Sequence, residues 1–294
     1  MRPLEEEILI EGQVLRRFVF APDPSRPVRA AAVHYHGQGD HSSRYEETMR
    51  VFTGRGVACV ATDLPGHGES DGKRGVVPGF RVIDGLTRSA IGRARGLCPD
   101  GPLGILGHSA GGLLALHELL RSPSDYDFCW LSSPLVRPGA NRSRLLVFLL
   151  PFLARLFAGH TVRTGVRPED CRHDAMRPGP EGAGPLPKPG QNHGRIGLGW
   201  GWELLQTAAA VRLAFAANPP GVPLLVTQGT ADRICRVEHL RALLARAAIP
   251  RLRYREFTGA LHEPFADDSK AEVFAEIDRW LDEILRPLEA LQVS

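Results

Sequence analysis

The sequence predicts an α/β fold: a mostly parallel central sheet, helices on both faces, and an inserted lid. Three observations predict it. Short apolar runs of strand length alternate with amphipathic runs of helical length. Glycine-rich turns close several of the apolar runs, at His36-Gly37-Gln38-Gly39, Asp63-Leu64-Pro65-Gly66, Gly107-His108-Ser109-Ala110-Gly111 and Gly229-Thr230-Ala231-Asp232. Such alternation belongs to parallel sheets covered on both faces. The rhythm breaks between about Leu135 and Trp200 and returns after Pro223, which marks the insertion. With 43% hydrophobic and 23% charged residues, the 294-residue chain has ample material for one large core.

Taken in order, Gln13–Phe20 and residues 29–36 read as strands with a proline-bounded turn between them. Residues 44–53 place Tyr45, Met49 and Phe52 on one helical face. Val57–Thr62 is a short apolar strand, and Phe80–Leu97 is a moderately amphipathic helix. Residues 102–106 form the strand before Ser109, and residues 112–120 form the helix after it. Residues 126–131 read as another buried strand. Within the insertion, Arg144–Phe157 is densely apolar, residues 177–191 are rich in Pro and Gly, and a helix resumes over 201–217. Residues 224–228 and Leu252–Phe257 are strands, with a helix over 237–248 between them. Residues 271–285 turn Val273, Phe274, Ile277, Trp280, Leu281 and Ile284 inward on a last helix. The core is expected over 1–134 and 201–294, and the lid over 135–200.

In such sheets ligands gather beyond the carboxyl ends of the strands. The Gly107-x-Ser109-x-Gly111 turn lies between a strand and a helix, the context in which G-x-S-x-G is a nucleophile elbow. A neutral serine hydroxyl is a poor nucleophile, so it needs a base, and the base needs an orienting partner. Two further strand-end loops supply Asp232 and His262. Taken singly, Asp232 could be a turn aspartate and His262 a surface histidine. Three suitable residue types on three strand ends, in the order Ser, Asp, His, favour catalysis. Acyl transfer also needs donors for an oxyanion. The Ala110 N–H opens a helix, and the Gln38 N–H lies in the loop after an earlier strand.

Other residues compete for roles. His108 neighbours Ser109, but adjacent side chains on a strand end point to opposite sides, so it is not expected to reach the nucleophile. His34, His36, His41 and His67 lie near the same edge and are candidates to line the site, and His193 is a candidate substrate contact. His117 and His239 read as helix residues. The five cysteines are scattered without C-x-x-C spacing, and no histidine pair has H-E-x-x-H spacing. Neither a disulfide framework nor a metal site is expected, and no cofactor is needed. Cys235, three residues after Asp232, is either a packing residue or a thiol whose modification would disturb the acid loop. A net charge of +3 points to no nucleic-acid partner. The first seven residues lack the pattern of a secretory signal, so a cytoplasmic setting is expected.

These motifs together resemble the α/β-hydrolase superfamily and, more narrowly, its monoacylglycerol lipase and lysophospholipase branch, whose relatives carry the label serine aminopeptidase. The narrower resemblance rests on His36-Gly37-Gln38-Gly39-Asp40-His41-Ser42-Ser43-Arg44-Tyr45 and on Asp63-Leu64-Pro65-Gly66-His67-Gly68-Glu69-Ser70. It also rests on Gly107 to Gly112, Ser132-Ser133-Pro134-Leu135, Gly229 to Ile234 and Gly259 to Glu263. The resemblance implies an α/β-hydrolase fold with Ser109 as nucleophile, Asp232 as acid, His262 as base, and the Gln38 and Ala110 amides as oxyanion donors. Two positions depart from the branch: Asp40 replaces its usual Glu, and Ala110 stands where Met is frequent, which alters the pocket wall but keeps the N–H.

The insertion bears on substrate. Arg144–Phe157 is too short to span a membrane and reads either as a helix buried on the core or as a lid whose apolar face touches lipid. Seven arginines lie between Arg137 and Arg172, against only Glu169 and Asp170. That balance suits an anionic membrane surface or phosphate headgroup and suits a peptide amine poorly. The expected reaction is hydrolysis of an ester of one fatty chain, with peripheral contact at the inner membrane surface. An aminopeptidase, amidase or acyltransferase using the same three residues, and a non-catalytic binding protein of the same fold, are the alternatives.

Overall fold

The computed structural model describes residues 2–139, 143–173 and 192–292. The chain runs through β1 (Leu4–Ile10), β2 (Gln13–Phe20), β3 (Ala30–Tyr35), α1 (Glu46–Gly54), β4 (Val57–Thr62), α2 (Phe80–Leu97), β5 (Leu103–His108), α3 (Ala110–Arg121) and β6 (Phe128–Ser132). Between β6 and the next long helix lie α4 (Arg144–Phe157), β7 (Thr161–Arg163), α5 (Pro168–Cys171) and β8 (Arg195–Gly197). The chain closes with α6 (Leu198–Ala217), β9 (Leu224–Gly229), α7 (Val237–Leu244), β10 (Leu252–Phe257) and α8 (Lys270–Gln292).

Eight strands form one sheet in the order β1-β2-β4-β3-β5-β6-β9-β10. From β4 to β10 every neighbouring pair is parallel, whereas β2 meets both β1 and β4 antiparallel. The pleat sends alternate side chains to opposite faces. Thus Cys129 and Leu131 of β6 join one core cluster, and Phe128 and Trp130 join the other. Helices α2, α3, α6 and α7 cover the first face, and α1 and α8 cover the second. All six parallel strands point their carboxyl ends at one edge, where the loops bearing Gln38, Asp63, Ser109, Asp232 and His262 begin.

Strand β1 is absent from the sequence reading. It pairs with β2 through a two-residue turn at Glu11 and Gly12, both with positive φ (48° and 76°), as the twist of a tight hairpin requires. Its Glu6 and Glu7 face Arg17 and Arg16 across the pair, so an acidic run is accommodated in an edge strand. Helix α6 starts at Leu198 rather than 201, α7 stops at Leu244 rather than 248, and α8 continues past Leu285. The Pro- and Gly-rich stretch at 177–191 lies outside the described residues.

Helix α4 packs against α6, yet Leu145, Phe148, Leu149, Phe152 and Leu156 remain exposed, Phe148 at 69% and Phe152 at 62%. Their spacing places them in one stripe. Ala154 is buried on the opposite side. The reading of this run as a helix buried on the core therefore does not hold. Among the described residues no helix is long and apolar enough to cross a membrane.

Candidate active site

The turn after β5 is strained where chemistry would want it. Ser109 has φ 54° and ψ −119°, a region that residues with a side chain rarely occupy. Three backbone bonds hold it there: Ser109 N donates to Ser132 O (3.0 Å), and Leu113 N and Leu135 N donate to Ser109 O (3.1 and 2.9 Å). A Cβ on Gly111 would lie 2.1 Å from Tyr35 O, so only glycine lets α3 start this close to β3. A Cβ on Gly37 would sit 3.3 Å from Ser109 Cβ, which puts the loop after β3 beside the serine. Ala110 opens α3, where backbone N–H groups lack partners within the helix. Among the described residues the Gln38 N–H meets no acceptor either.

The turn after β9 brings Asp232 to His262. His262 Nδ1 and Asp232 Oδ2 lie 2.8 Å apart, and both residues are buried. The carboxylate is fully engaged. Oδ1 accepts the Ile234 and Cys235 N–H groups (2.8 and 2.9 Å), and Oδ2 also accepts Gln228 Nε2 (3.0 Å). The loops carrying Asp232 and His262 are joined by backbone bonds, Thr230 N to Phe257 O and Ala231 N to Ala260 O (3.1 and 3.0 Å).

Burial opposes charge on Asp232, but the His262 charge and the hydrogen bonds from His262, Cys235 and Ile234 outweigh it and hold the carboxyl below its usual range. Burial likewise opposes the imidazolium of His262, and the Asp232 charge and hydrogen bond overcome it, so the ring titrates above an ordinary histidine. With Asp232 accepting at Nδ1, the neutral ring carries its proton there and leaves Nε2 as a base. Among the described residues no hydrogen bond joins Ser109 Oγ to His262, a contact that commonly tightens only with substrate in place. Cys235 neighbours both: its thiol adjoins the Ser109 side chain and lies within 4.8 Å of a His262 ring nitrogen and an Asp232 carboxylate oxygen. Burial pushes that thiol well above the ordinary range, so it stays protonated.

A buried ionic cluster holds the His262 loop from behind. Arg44 binds Asp40 Oδ1 (2.9 Å) and both Glu263 oxygens (3.2 and 2.6 Å), while the Tyr45 hydroxyl donates to Asp40 Oδ2 (2.8 Å). Asp40, Arg44 and Tyr45 of the first motif thus act on the residue next to His262, and Asp40 serves there in place of the longer Glu.

The remaining histidines turn out differently from expectation. His34, His36, His41 and His67 are buried scaffold rather than site lining. His36 Nε2 accepts the Leu64 N–H (2.9 Å), which makes Nδ1 the donor to Gly37 O (2.8 Å). The His34 ring lies 4.3 Å from the Tyr45 ring. His193 contacts backbone, Nε2 lying 3.1 Å from Gly66 O. His108 faces Ser132, with Nδ1 3.1 Å from its carbonyl, and its ring lies 4.7 Å from His262. Asp232, Cys235 and His262 are close enough together to suggest a metal. The lone pairs of Asp232 are already taken by four N–H donors, and the thiol is held neutral, so the donor set does not fit one. His173, Asp267 and Asp268 also cluster, but both Asp267 oxygens already contact His173 (N 2.8 Å, Nδ1 2.7 Å).

A sequence model of the serine aminopeptidase S33 family matches residues 26–269. The chain belongs to this family. The S33 match begins before β3 and ends just past the loop carrying Asp267, so it spans every loop described above. The chain is 29% identical over 259 residues to a monoacylglycerol lipase of Mycolicibacterium smegmatis, covering 88% of this chain and 90% of the relative. It is 27% identical over 265 residues to the human monoglyceride lipase, covering 88% and 84%. The crystal structure of Paleococcus ferrophilus monoacylglycerol lipase superposes with a TM-score of 0.79 at 27% identity, covering 92% of this chain and 99% of that one. The fold of this S33 member is the α/β-hydrolase fold.

Two site features escape a reading of sequence alone. Gln228 donates to Asp232 Oδ2, Gly229 O and Cys235 O, and so braces the acid turn from within β9. A buried Gln just before a strand-end glycine was the only signal for it. Trp200 donates its indole N–H to the Gln38 side chain across the insertion, and nothing local to either residue shows this.

Proposed function

We propose that this carboxylic ester hydrolase cleaves esters of one fatty chain, monoacylglycerols or lysophospholipids, through an acyl-enzyme on Ser109. Ser109 Oγ attacks the ester carbonyl as His262 Nε2 takes its proton. The oxyanion is held by the Gln38 and Ala110 N–H groups. The imidazolium then protonates the leaving alcohol, and water repeats the path in reverse to free the fatty acid and restore Ser109. Asp232 keeps His262 in the required tautomer and stabilises it when charged. The strained Ser109 beside the joined Asp232–His262 pair supports this assignment of roles.

The observation that carries the lipid reading is the exposed apolar stripe of α4, Leu145, Phe148, Leu149, Phe152 and Leu156, on the inserted segment. Phe148 and Phe152 expose roughly two thirds of their surface, and burying that much of each in lipid favours association by about 1–2 kcal/mol per ring. Arg155 and Arg163 nearby are exposed and suit anionic headgroups. We assign residues 135–200 as the lid and α4 as its membrane-facing part. The names of the monoacylglycerol lipase relatives support the same substrate class. The test is a substrate panel of monoacylglycerol, lysophospholipid, short acyl ester and aminoacyl arylamide. Turnover of long-chain single-acyl esters above the rest is expected. Turnover of arylamides without esters would overturn the reading in favour of an aminopeptidase.

A further inference from the structure

The loop that carries Gln38 is held from outside by the chain returning from the insertion. Gln38 Nε2 donates to Arg195 O (2.8 Å), and Trp200 Nε1 donates to Gln38 Oε1 (2.9 Å). The partners fix which way round the amide sits, because an indole N–H only donates and a backbone carbonyl only accepts. A backbone bond lies alongside, His193 N to Gly39 O (2.9 Å). Gly39 has φ +78°, and a Cβ on it would come 2.1 Å from His193 O, so glycine alone lets the two segments meet.

The returning segment is itself anchored. Gly197 N donates to Gly75 O (2.8 Å), Leu198 N donates to His160 O (2.9 Å), and β8 pairs with β7, which follows α4. Trp200 is buried against Phe80, ring centroids 5.9 Å apart, so its N–H has a fixed position. A buried indole N–H needs an acceptor, and Gln38 supplies it. Gln38 itself is half-buried in a loop flanked by Gly37 and Gly39, which would otherwise leave its backbone many conformations.

We propose that the Gln38 side chain, gripped between Trp200 Nε1 and Arg195 O, fixes the aim of its own backbone N–H in the oxyanion hole. Trp200 is then a positioning residue, and the insertion sets the geometry of the hole through it. This rests on the Ser109 hydrolase reading above. An oxyanion donor works by being preorganised about 3 Å from where the charge develops, so a loop free to turn loses transition-state binding while ground-state binding survives.

The experiment compares Gln38→Ala and Trp200→Phe with wild type on a soluble short-chain p-nitrophenyl ester. It also measures inhibition by an alkylboronic acid, whose tetrahedral serine adduct uses the same hole. Both variants keep the backbone N–H groups at positions 38 and 110. Each should lose about tenfold in kcat, less than the hundredfold or more of deleting a donor outright. KM should stay within about twofold, and boronate affinity should fall by the same factor as kcat. Because both cuts sever one strap, the double variant should be no slower than Gln38→Ala alone. Should Trp200→Phe fail to fold, Gln38→Leu, changed at the loop end of the same contact, gives the same reading. Unchanged kcat and boronate affinity, losses confined to KM, or additive losses in the double variant would overturn the proposal. Ester turnover that survives Ser109→Ala would instead overturn the hydrolase reading beneath it.

Discussion

Replacing Asp232 by Asn tests the acid–base pair most sharply, because the carboxylate accepts four hydrogen bonds and an amide cannot. Asn offers one acceptor oxygen and one NH2 group. If the oxygen takes the Ile234 and Cys235 N–H groups, the NH2 faces His262 Nδ1 and Gln228 Nε2, both donors toward this site. If it is turned round, the NH2 faces the two backbone donors. Either way two of the four donors lose their charged acceptor, and at about 1.5–3 kcal/mol each that is roughly 3–6 kcal/mol of stability in the acid turn. The first orientation also leads His262 to accept at Nδ1 and carry its proton on Nε2, the wrong tautomer to receive one from Ser109. The loss in kcat should therefore lie near 10⁴, about 5.4 kcal/mol.

The pH profile gives a second readout of the same variant. Wild-type kcat/KM should rise with pH as His262 loses its proton, with a midpoint above the ordinary histidine value of about 6.5, because Asp232 raises it against burial. Removing the Asp232 charge leaves burial, the largest effect, opposed only by the weaker pull of Glu263 and Asp40, so the midpoint should move to lower pH as the plateau collapses. The assay is p-nitrophenyl ester hydrolysis from pH 5 to 9, with circular dichroism to confirm folding. A folded Asp232→Asn protein with kcat within tenfold of wild type, or an unmoved midpoint, would refute the assigned roles.

Further outcomes follow from the same geometry. Gly111→Ala should destabilise the protein by about 3 kcal/mol or more in urea unfolding, because the new Cβ falls 2.1 Å from Tyr35 O in backbone that cannot yield cheaply. Arg44→Met should cost about 3–5 kcal/mol, since it leaves the buried Asp40 and Glu263 carboxylates unpaired. Burial pushes both of those groups up, but for Glu263 the Arg44 charge and hydrogen bonds, and for Asp40 the Arg44 charge together with His41, His36 and the Tyr45 hydroxyl, hold them below their usual range. Wild-type stability from this cluster is therefore present above the unfolded carboxyl pKa values and lost as pH falls through the folded ones. Urea unfolding at pH 7 and pH 3 should show the wild-type advantage over Arg44→Met shrinking at the lower pH. The double variant Phe148→Asp/Phe152→Asp should lose activity on vesicle-borne long-chain ester and keep it on a soluble short-chain ester. Equal loss on both would contradict the membrane-facing assignment of α4. Alkylation of Cys235 should be slow, because burial keeps the thiol protonated, and should reduce turnover by crowding the acid turn and Ser109. Full activity in a fully alkylated sample would contradict this.

The parts of the molecule legible in the sequence are those whose signals are local. Of the parallel strands, β3, β4, β5 and β9 are short apolar runs ending in glycine-bearing turns and β10 alternates before Gly259, and Ser109, Asp232 and His262 sit in such strand-end turns. Strand β1 was not legible because Glu5-Glu6-Glu7 hides the alternation, and its arginine partners lie on β2. The antiparallel placement of β2 beside β4 was hidden for a related reason: no local pattern states which strand is a neighbour. The four histidines near the sheet edge looked like site lining because of where they fall. They are scaffold because of partners far off in the chain, such as Leu64 N, 28 residues from His36. Gln38 was legible only for its backbone N–H, since the residue that grips its side chain is 162 positions away. Whether α4 is buried or exposed depends on how much of it α6 covers, which apolar composition does not encode.

The central claim is that Ser109 becomes acylated, and one measurement addresses it directly. The protein is mixed with a fluorophosphonate probe, and separately quenched in acid during turnover of a long-chain ester, and each sample is digested for peptide mass spectrometry. Phosphonate and acyl adducts are expected on Ser109 alone, both lost in Ser109→Ala. Adducts on another residue, or none while the ester is still being hydrolysed, would contradict it.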